Sequence, residues 1–374
     1  MKVLHIIVGL DVGGAETMLK RLIESAPVSL TETIVVSLTS IGVVGESLRA
    51  RGVCVYALGM SSFWCAPMVL WRLIWLIRKC RPAIVQTWMY HADLIGGLAA
   101  RLAGCCAVVW NIRSTNIPQG ALSVTFWIVR LCAIFSYFIP DRIICCANSV
   151  KTAHIKLRYV AHKMIVIQNG FDFSAFEIDS NSRQRARLEL GCNAGDIVIG
   201  VVGRFDPLKD FHNFVTAASY VSLKCANVKY LMIGRGNEWS NPTLCDWIER
   251  AGLIEKFHLV GQKNDVNYYF SALDIFCLSS VSEGFPNVVV EAMAMQLPCV
   301  VTSAGDAAEI LGDNGFIVPV KDSMALADAL LRICYLDPKI RKNLGVRGAE
   351  KVRTEYGIEK ISRKYEEIYG LVSK

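Results

Sequence analysis

Strands alternating with helical runs, in two successive series, predict an α/β chain built from two parallel-sheet, Rossmann-like domains. Two further observations support two domains: the chain has 374 residues, enough for two sizeable cores, and a polar, charged stretch at 179–187 divides the series. The first series places strands at 4–8, 34–38, 53–58, 84–86, 108–111, 142–146 and 164–168. It ends on the turn signal Asn169-Gly170-Phe171-Asp172. The second series opens at 197–203 and continues at 230–233, 257–260, 274–278 and 299–302. The boundary falls between Asn169 and Asn181, giving an N-terminal domain of residues 1–175 and a second of residues 176–355. A charged amphipathic helix fills 357–371 in the closing segment, 356–374.

Composition sets the outer limits of function. The chain is 53% hydrophobic and 20% charged, with mean hydropathy +0.37, which excludes a disordered chain. The 14 cysteines show no Cys-x-x-Cys spacing, and pairs such as Cys105-Cys106 and Cys145-Cys146 lie in apolar runs. Reduced, buried thiols of a cytosolic protein fit this better than a disulfide framework or a zinc site. The opening 1–9 is too short for an export signal and runs into a Gly-rich turn, so it is expected to be the first strand. Residues 1–175 hold 17 Lys and Arg against 8 Asp and Glu, a balance of +9; the remainder holds 23 against 25, a balance of −2. A basic first half favours an anionic partner, either a membrane surface, a nucleic acid or a phosphorylated substrate. With no zinc finger, RNA-binding aromatic signature or basic coiled coil, nucleic acid is the weakest of these.

The stretch Glu283-Gly284-Phe285-Pro286-Asn287-Val288-Val289-Val290-Glu291 is the most informative in the chain. It follows the strand at 274–278 and runs into an apolar helix expected from Asn287 to Gln296. Glu283 thus sits in the turn and Glu291 about one turn inside the helix. On a fully helical spacing the two acids would lie ~12 Å apart, about the span from a sugar ring past a diphosphate to a ribose. Between them, a helix start offers amide donors and partial positive charge to an anion. Two solvated acids flanking a helix start would look the same in isolation.

A second constellation is Arg204-Phe205-Asp206-Pro207-Leu208-Lys209-Asp210, directly after the strand at 197–203. Ligands of open α/β sheets bind at the carboxyl ends of strands, where an Arg fork and a Lys point charge suit the oxygens of a diphosphate. Surface ion pairs to Asp206 and Asp210 are the competing reading. A third is Gly9-Leu-Asp-Val-Gly13-Gly14-Ala15-Glu16, after the first strand. It is neither a Walker loop nor a dinucleotide fingerprint; paired glycines let backbone amides approach an anion or sugar, or merely make a flexible turn.

In this order the motifs resemble the Glu-x7-Glu signature, the Arg/Lys pair and the Gly-Gly-Ala-Glu loop of the retaining, nucleotide-sugar-dependent glycosyltransferases of family 4. The resemblance covers nearly the whole chain. It is most specific from Val201 to Pro319, where Thr302-Ser-Ala-Gly305-Asp306-Ala-Ala-Glu309 is similar to the family's next cleft loop. It implies a GT-B fold, with two Rossmann-like domains facing a central cleft and the last helix crossing back to the first domain. The resemblance places Glu283 beside the transferred sugar, Glu291 on the ribose diol, and Arg204 and Lys209 on the leaving diphosphate. Gly13, Gly14, Gly284, Phe285, Asn287 and Val288 complete the donor site. It departs at Gln86 and Trp88, where many relatives carry His. Acceptor- or sugar-side roles therefore fall to His91, Asn111 and Arg113, with a capping or core role equally open for His91.

Two apolar stretches bear on the membrane. Residues 121–139 carry Arg130 as their only charge, but a spanning helix there would cut the first sheet before its strand at 142–146. A buried or surface-inserted helix is expected instead. Residues 63–81 combine Trp64, Trp71 and Trp75 with Arg72, Arg78, Lys79 and Arg81, the composition of an interfacial helix. The expected activity is transfer of a hexose or N-acetylhexosamine from a nucleotide diphosphate sugar, UDP-linked in expectation. The acceptor would be a lipid-linked or polysaccharide glycan of the cell envelope. The enzyme would act in the cytoplasm against the inner face of the membrane, with no cofactor, a dispensable divalent metal and no nucleic-acid partner. A UDP-sugar epimerase of the same fold and a non-catalytic nucleotide-sugar-binding scaffold are the alternatives.

Overall fold

The computed structural model describes residues 1–25, 33–105, 107–115, 123–176 and 179–373, with the side chain of residue 63 left aside. Cys106, the first two residues of the apolar run 121–139 and part of the interval between Asn169 and Asn181 lie outside the described residues. The chain divides into two compact units, Met1–Asp172 with Tyr356–Lys374, and Phe173–Glu355.

The N-terminal unit is a seven-stranded sheet of β1 (Val3–Ile7), β2 (Thr33–Ser37), β3 (Cys54–Ala57), β4 (Ile84–Trp88), β5 (Ala107–Ile112), β6 (Arg142–Cys145) and β7 (Met164–Val166). The order is β3-β2-β1-β4-β5-β6-β7 and every pairing is parallel. Central strands β1, β4 and β5 are buried at every position, as a sheet covered on both faces requires. Helices α1 (Gly14–Glu24), α2 (Gly42–Ala50), α3 (Ala66–Cys80), α4 (Tyr90–Leu102), α5 (Val124–Phe135) and α6 (Asn148–Lys156) supply the connections. The second unit alternates α7 (Ser180–Glu189), β8 (Ile197–Val202), α8 (Phe211–Lys224), β9 (Val228–Ile233), α9 (Pro242–Arg250), β10 (Phe257–Gly261), α10 (Val266–Ala272) and β11 (Ile275–Leu278). It continues through α11 (Asn287–Ala294), β12 (Cys299–Thr302), α12 (Ala307–Leu311), β13 (Gly315–Val318), α13 (Ser323–Cys334) and α14 (Pro338–Tyr356). Its sheet is parallel, in the order β10-β9-β8-β11-β12-β13.

The last helix, α15 (Ile358–Val372), belongs to the core of the N-terminal unit. Its Ile358, Ile361, Tyr365 and Tyr369 pack with Val3, Ile7, Leu19, Val35 and Ile84. Backbone bonds from Phe171 to the Tyr356 carbonyl and from Ile358 to the Phe171 carbonyl, both 2.9 Å, tie its start to the end of the first strand series.

Two details differ from the sequence expectation, and a third, the helix in the apolar run at 121–139, follows it. Strand β13 is an additional, half-exposed strand, four residues long and set between Gly312-Asp313-Asn314 and Pro319, whose composition reads as turn. Helix α11 stops at Ala294 rather than reaching Gln296, which takes a left-handed φ of 58°. The apolar run at 121–139 yields a helix of only 12 residues, and among the described residues no helix is long and apolar enough to cross a membrane.

Candidate active site

In each sheet the chain order reverses beside the first strand of the series, between β1 and β4 in one unit and between β8 and β11 in the other. Loops leaving such a pair of strands diverge and open a crevice at their carboxyl ends. The Arg204–Lys209 and Glu283 loops are the two that leave the β8/β11 switch point.

Hydrogen bonds lock these loops together. The Val281 amide donates to the Leu208 carbonyl at 2.8 Å, and the Ser279 hydroxyl donates to the Lys209 carbonyl at 2.7 Å. Thr302 Oγ1 donates to the Ser280 carbonyl at 2.6 Å and the Asp306 amide to the Gly284 carbonyl at 3.1 Å, adding the loop after β12. Gly305 makes that approach possible. Its φ is +58°, and a Cβ there would lie 2.3 Å from the Glu283 carbonyl oxygen.

The side chains then converge. Lys209 Nζ lies 2.6 Å from Glu283 Oε1, and the Ser280 hydroxyl donates to the same oxygen at 2.7 Å. This pair is largely shielded, with side-chain exposures of 22% for Lys209 and 13% for Glu283. Arg204 behaves differently. Its Nε and Nη2 both reach Asp206 Oδ2 at 2.9 Å while the side chain stays 63% exposed. Burial alone would raise the pKa of Asp206, but the Leu208 amide, the bond and charge of Arg204 and the charge of Lys209 outweigh it and hold the carboxyl below its ordinary value. The sequence offered Asp210 as partner of Lys209; instead Asp210 sits in the left-handed region (φ 47°) and accepts from the Asn213 amide as the cap of α8. Ser280 was missed from sequence, although a hydroxyl three residues before Glu283, at the end of a strand, is the signal that could have found it.

Helix α11 begins at Asn287 after Pro286, whose side chain cannot cap it. Phe285 is buried against this start, while Gly284, Asn287, Val288 and Glu291 are half-buried. The helix therefore starts directly after the Glu283 loop, which is tied to the Lys209 loop, with Glu291 one turn further on.

In the N-terminal unit, Gly13 is the extended N-cap of α1 (φ −160°) and Gly14 its first residue. A Cβ on Gly13 would stand 2.3 Å from Glu16 Oε2, so glycine leaves room for that carboxylate. Burial is the main cause that raises the pKa of Glu16. His91, second residue of α4, is half-buried, and burial lowers its pKa toward the neutral form. Asn111 is wholly buried. It donates to the Tyr365 hydroxyl at 3.0 Å and accepts from Arg113 Nη1 at 2.9 Å, so any sugar-side role it has passes through Arg113. Arg113 stacks 5.4 Å over the Trp88 ring, and its buried Nε and Nη2 carry no hydrogen bond. Gln86 and Trp88, the departures from the His pattern, are fully buried: Gln86 accepts from the Tyr369 hydroxyl of α15, and Trp88 Nε1 donates to His5 Nδ1 at 3.3 Å.

Two parallel α/β units, one holding cations and carboxylates at its switch point with a helix start following them, have the architecture of a GT-B nucleotide-sugar enzyme. Sequence comparison agrees. Residues 12–175 match the family described as Glycosyltransferase Family 4, and residues 196–335 match Glycosyl transferases group 1. The chain belongs to the family 4 glycosyltransferases of GT-B fold. It is 27% identical to UDP-Gal:alpha-D-GlcNAc-diphosphoundecaprenol alpha-1,3-galactosyltransferase of Escherichia coli, over 79% of this chain and 76% of that protein. It is 24% identical to the capsular polysaccharide biosynthesis glycosyltransferase CapM of Staphylococcus aureus, over 82% and 81%. Among solved structures, HepE of Anabaena in complex with UDP superposes with a TM-score of 0.86 at 21% identity, covering 99% of this chain and 100% of that one. Sucrose-phosphate synthase of Thermosynechococcus elongatus gives 0.77 at 17% identity, over 100% and 99%.

Proposed function

We propose that this glycosyltransferase moves a hexose or N-acetylhexosamine from a UDP-sugar to a lipid-linked glycan of the cell envelope, with retention of anomeric configuration. The observation that carries the proposal is the Lys209–Glu283–Ser280 cluster beside Arg204 at the β8/β11 switch point. As the bond from the sugar C1 to the diphosphate breaks, charge develops on the departing oxygen, and in this reading Arg204, Lys209 and the start of α11 take it. An acceptor hydroxyl forms the new bond to C1 on the same face, and its proton passes to the leaving phosphate. Glu283, whose Oε1 accepts from Lys209 and Ser280, serves the sugar end, and Glu291 serves the ribose diol. Arg204 exchanges its exposed pair with Asp206 for the diphosphate at little cost, since such pairs are worth about 0–1 kcal/mol. With cations in this role, a divalent metal is dispensable. The envelope acceptor is supported by the substrate named for the Escherichia coli relative and by the capsular role named for CapM. Membrane contact is supported by the +9 balance of residues 1–175 and by Trp64, Trp71 and Trp75, which are 92%, 68% and 54% exposed. Each cation near an anionic bilayer contributes ~1 kcal/mol.

The test is incubation with a panel of UDP-sugars and prenyl-diphosphate-linked acceptors, with and without EDTA, and the product linkage read by NMR. Transfer with the donor's anomeric configuration, unchanged by EDTA, is expected. Interconversion of donors without acceptor would instead identify an epimerase, and an inverted linkage would contradict retention.

A further inference from the structure

Arg113 directly follows β5, at the carboxyl end of the sheet where the loops of the β1/β4 switch point also emerge. Its guanidinium is fixed from two directions. Nη1 donates to Asn111 Oδ1 at 2.9 Å and to the Tyr365 hydroxyl at 3.2 Å, and that hydroxyl also accepts from Asn111 Nδ2 at 3.0 Å. Cζ lies 5.4 Å over the ring of Trp88, which is itself held by its bond to His5. Tyr365 is fully buried on α15, whose Ile361 and Tyr369 pack into the core of the same unit.

These contacts use only the N–H groups of Nη1. Those of Nε and Nη2 are shielded and carry no hydrogen bond. The charge of Arg113 acts on Glu16, yet among the described residues no ion pair joins the two. Shielding charged donors without acceptors is unfavourable, and here the neighbours hold the group in that arrangement instead of letting it turn to water. The Nε–Nη2 edge is a planar fork that grips two oxygens of one oxyanion in parallel. We propose that Arg113 binds a substrate phosphate through this edge, and that Tyr365, carried in by the last helix, is its positioning residue. The choice of phosphate rests on the diphosphate donor and diphosphate-linked acceptor of the proposed function, either of which supplies the group.

Titration calorimetry of UDP and of a C20 prenyl diphosphate into the full-length wild type, Arg113→Lys, Tyr365→Phe and the double variant tests the assignment. Lysine keeps the charge and loses the fork; phenylalanine keeps the buried ring and loses the hydroxyl. Affinity for one of the two ligands should fall about tenfold in Arg113→Lys and about fivefold in Tyr365→Phe. The double variant should bind within about twofold of Arg113→Lys, because Tyr365 acts through the group already replaced. A Tyr365 that only stabilised the fold would cost its full factor in either background. Loss on UDP assigns the donor's phosphate, and loss on prenyl diphosphate assigns the acceptor's. Unchanged affinity for both ligands in Arg113→Lys, or single losses that multiply in the double variant, would overturn the proposal. Thermal melts check folding, and Arg113→Lys alone keeps the test decisive if Tyr365→Phe does not fold. Binding needs no turnover: these losses in a protein that transfers no sugar would sink the transfer reading alone. Transfer with affinities unchanged in the variants would sink this inference alone.

Discussion

Glu283 Oε1 accepts from both Lys209 Nζ and the Ser280 hydroxyl, and this shared oxygen governs what its replacement does. In Glu283→Gln an amide oxygen can still accept from both donors, so the loop keeps its shape while the negative charge disappears. Binding of UDP should stay within about threefold of wild type, whereas transfer should fall by about 10²-fold or more, as expected when an interaction specific to the reacting sugar is lost. Separate titration and turnover measurements check this; a variant with wild-type turnover removes Glu283 from the mechanism. At this scale the sequence was legible where chemistry is local and illegible where it is not. Arg204 finds Asp206 two residues away, a pairing readable from adjacency. Lys209 ignores its neighbour Asp210 for a carboxylate 74 residues on, because Asp210 is committed to capping α8. Only the placement of two loops at one switch point creates that pair.

Elements explain the departures in the first sheet. His5 on β1 is 3% exposed, accepts from Trp88 on β4, and is pushed down to about 3 by burial, against 6.5 for a free imidazole. The unfolded chain therefore binds a proton that the folded unit refuses. The stability from His5 is complete above pH 6.5 and is lost as pH falls from there toward 3. Thermal melts between pH 7.5 and 4.5 should show the wild-type transition dropping on the acid side, and His5→Gln, which cannot titrate, should show a smaller drop. Equal slopes for the two proteins would contradict a buried neutral His5. The buried strands were readable because covered parallel strands are continuous apolar runs; β13 was not, because four half-exposed residues between Gly, Asn and Pro carry little pattern. Nor could spacing show that Gln86 would bond Tyr369 of α15, a contact joining positions 283 residues apart.

Over the whole molecule, charge is divided along the sequence, with the basic surplus in residues 1–175 and a slight acidic surplus beyond. Two sheets with the same kind of switch point thus differ in the loops that leave it: Gly13 and Gly14 follow β1 in one, and Arg204, Lys209 and Glu283 follow β8 and β11 in the other. The fold class was legible from strand alternation, and the crossing of the C-terminal helix was implied by the family resemblance that the motifs carry, not by the order of elements. The central claim is that the second unit is the donor site, and titration of UDP into wild-type protein and Glu291→Ala measures it most directly. Loss of hydrogen bonds to a ribose should weaken binding by ~1–3 kcal/mol, about five- to 150-fold. Saturable binding by the wild type with that loss in the variant is the predicted result; equal affinities, or no binding of UDP by the folded wild-type chain, would contradict it.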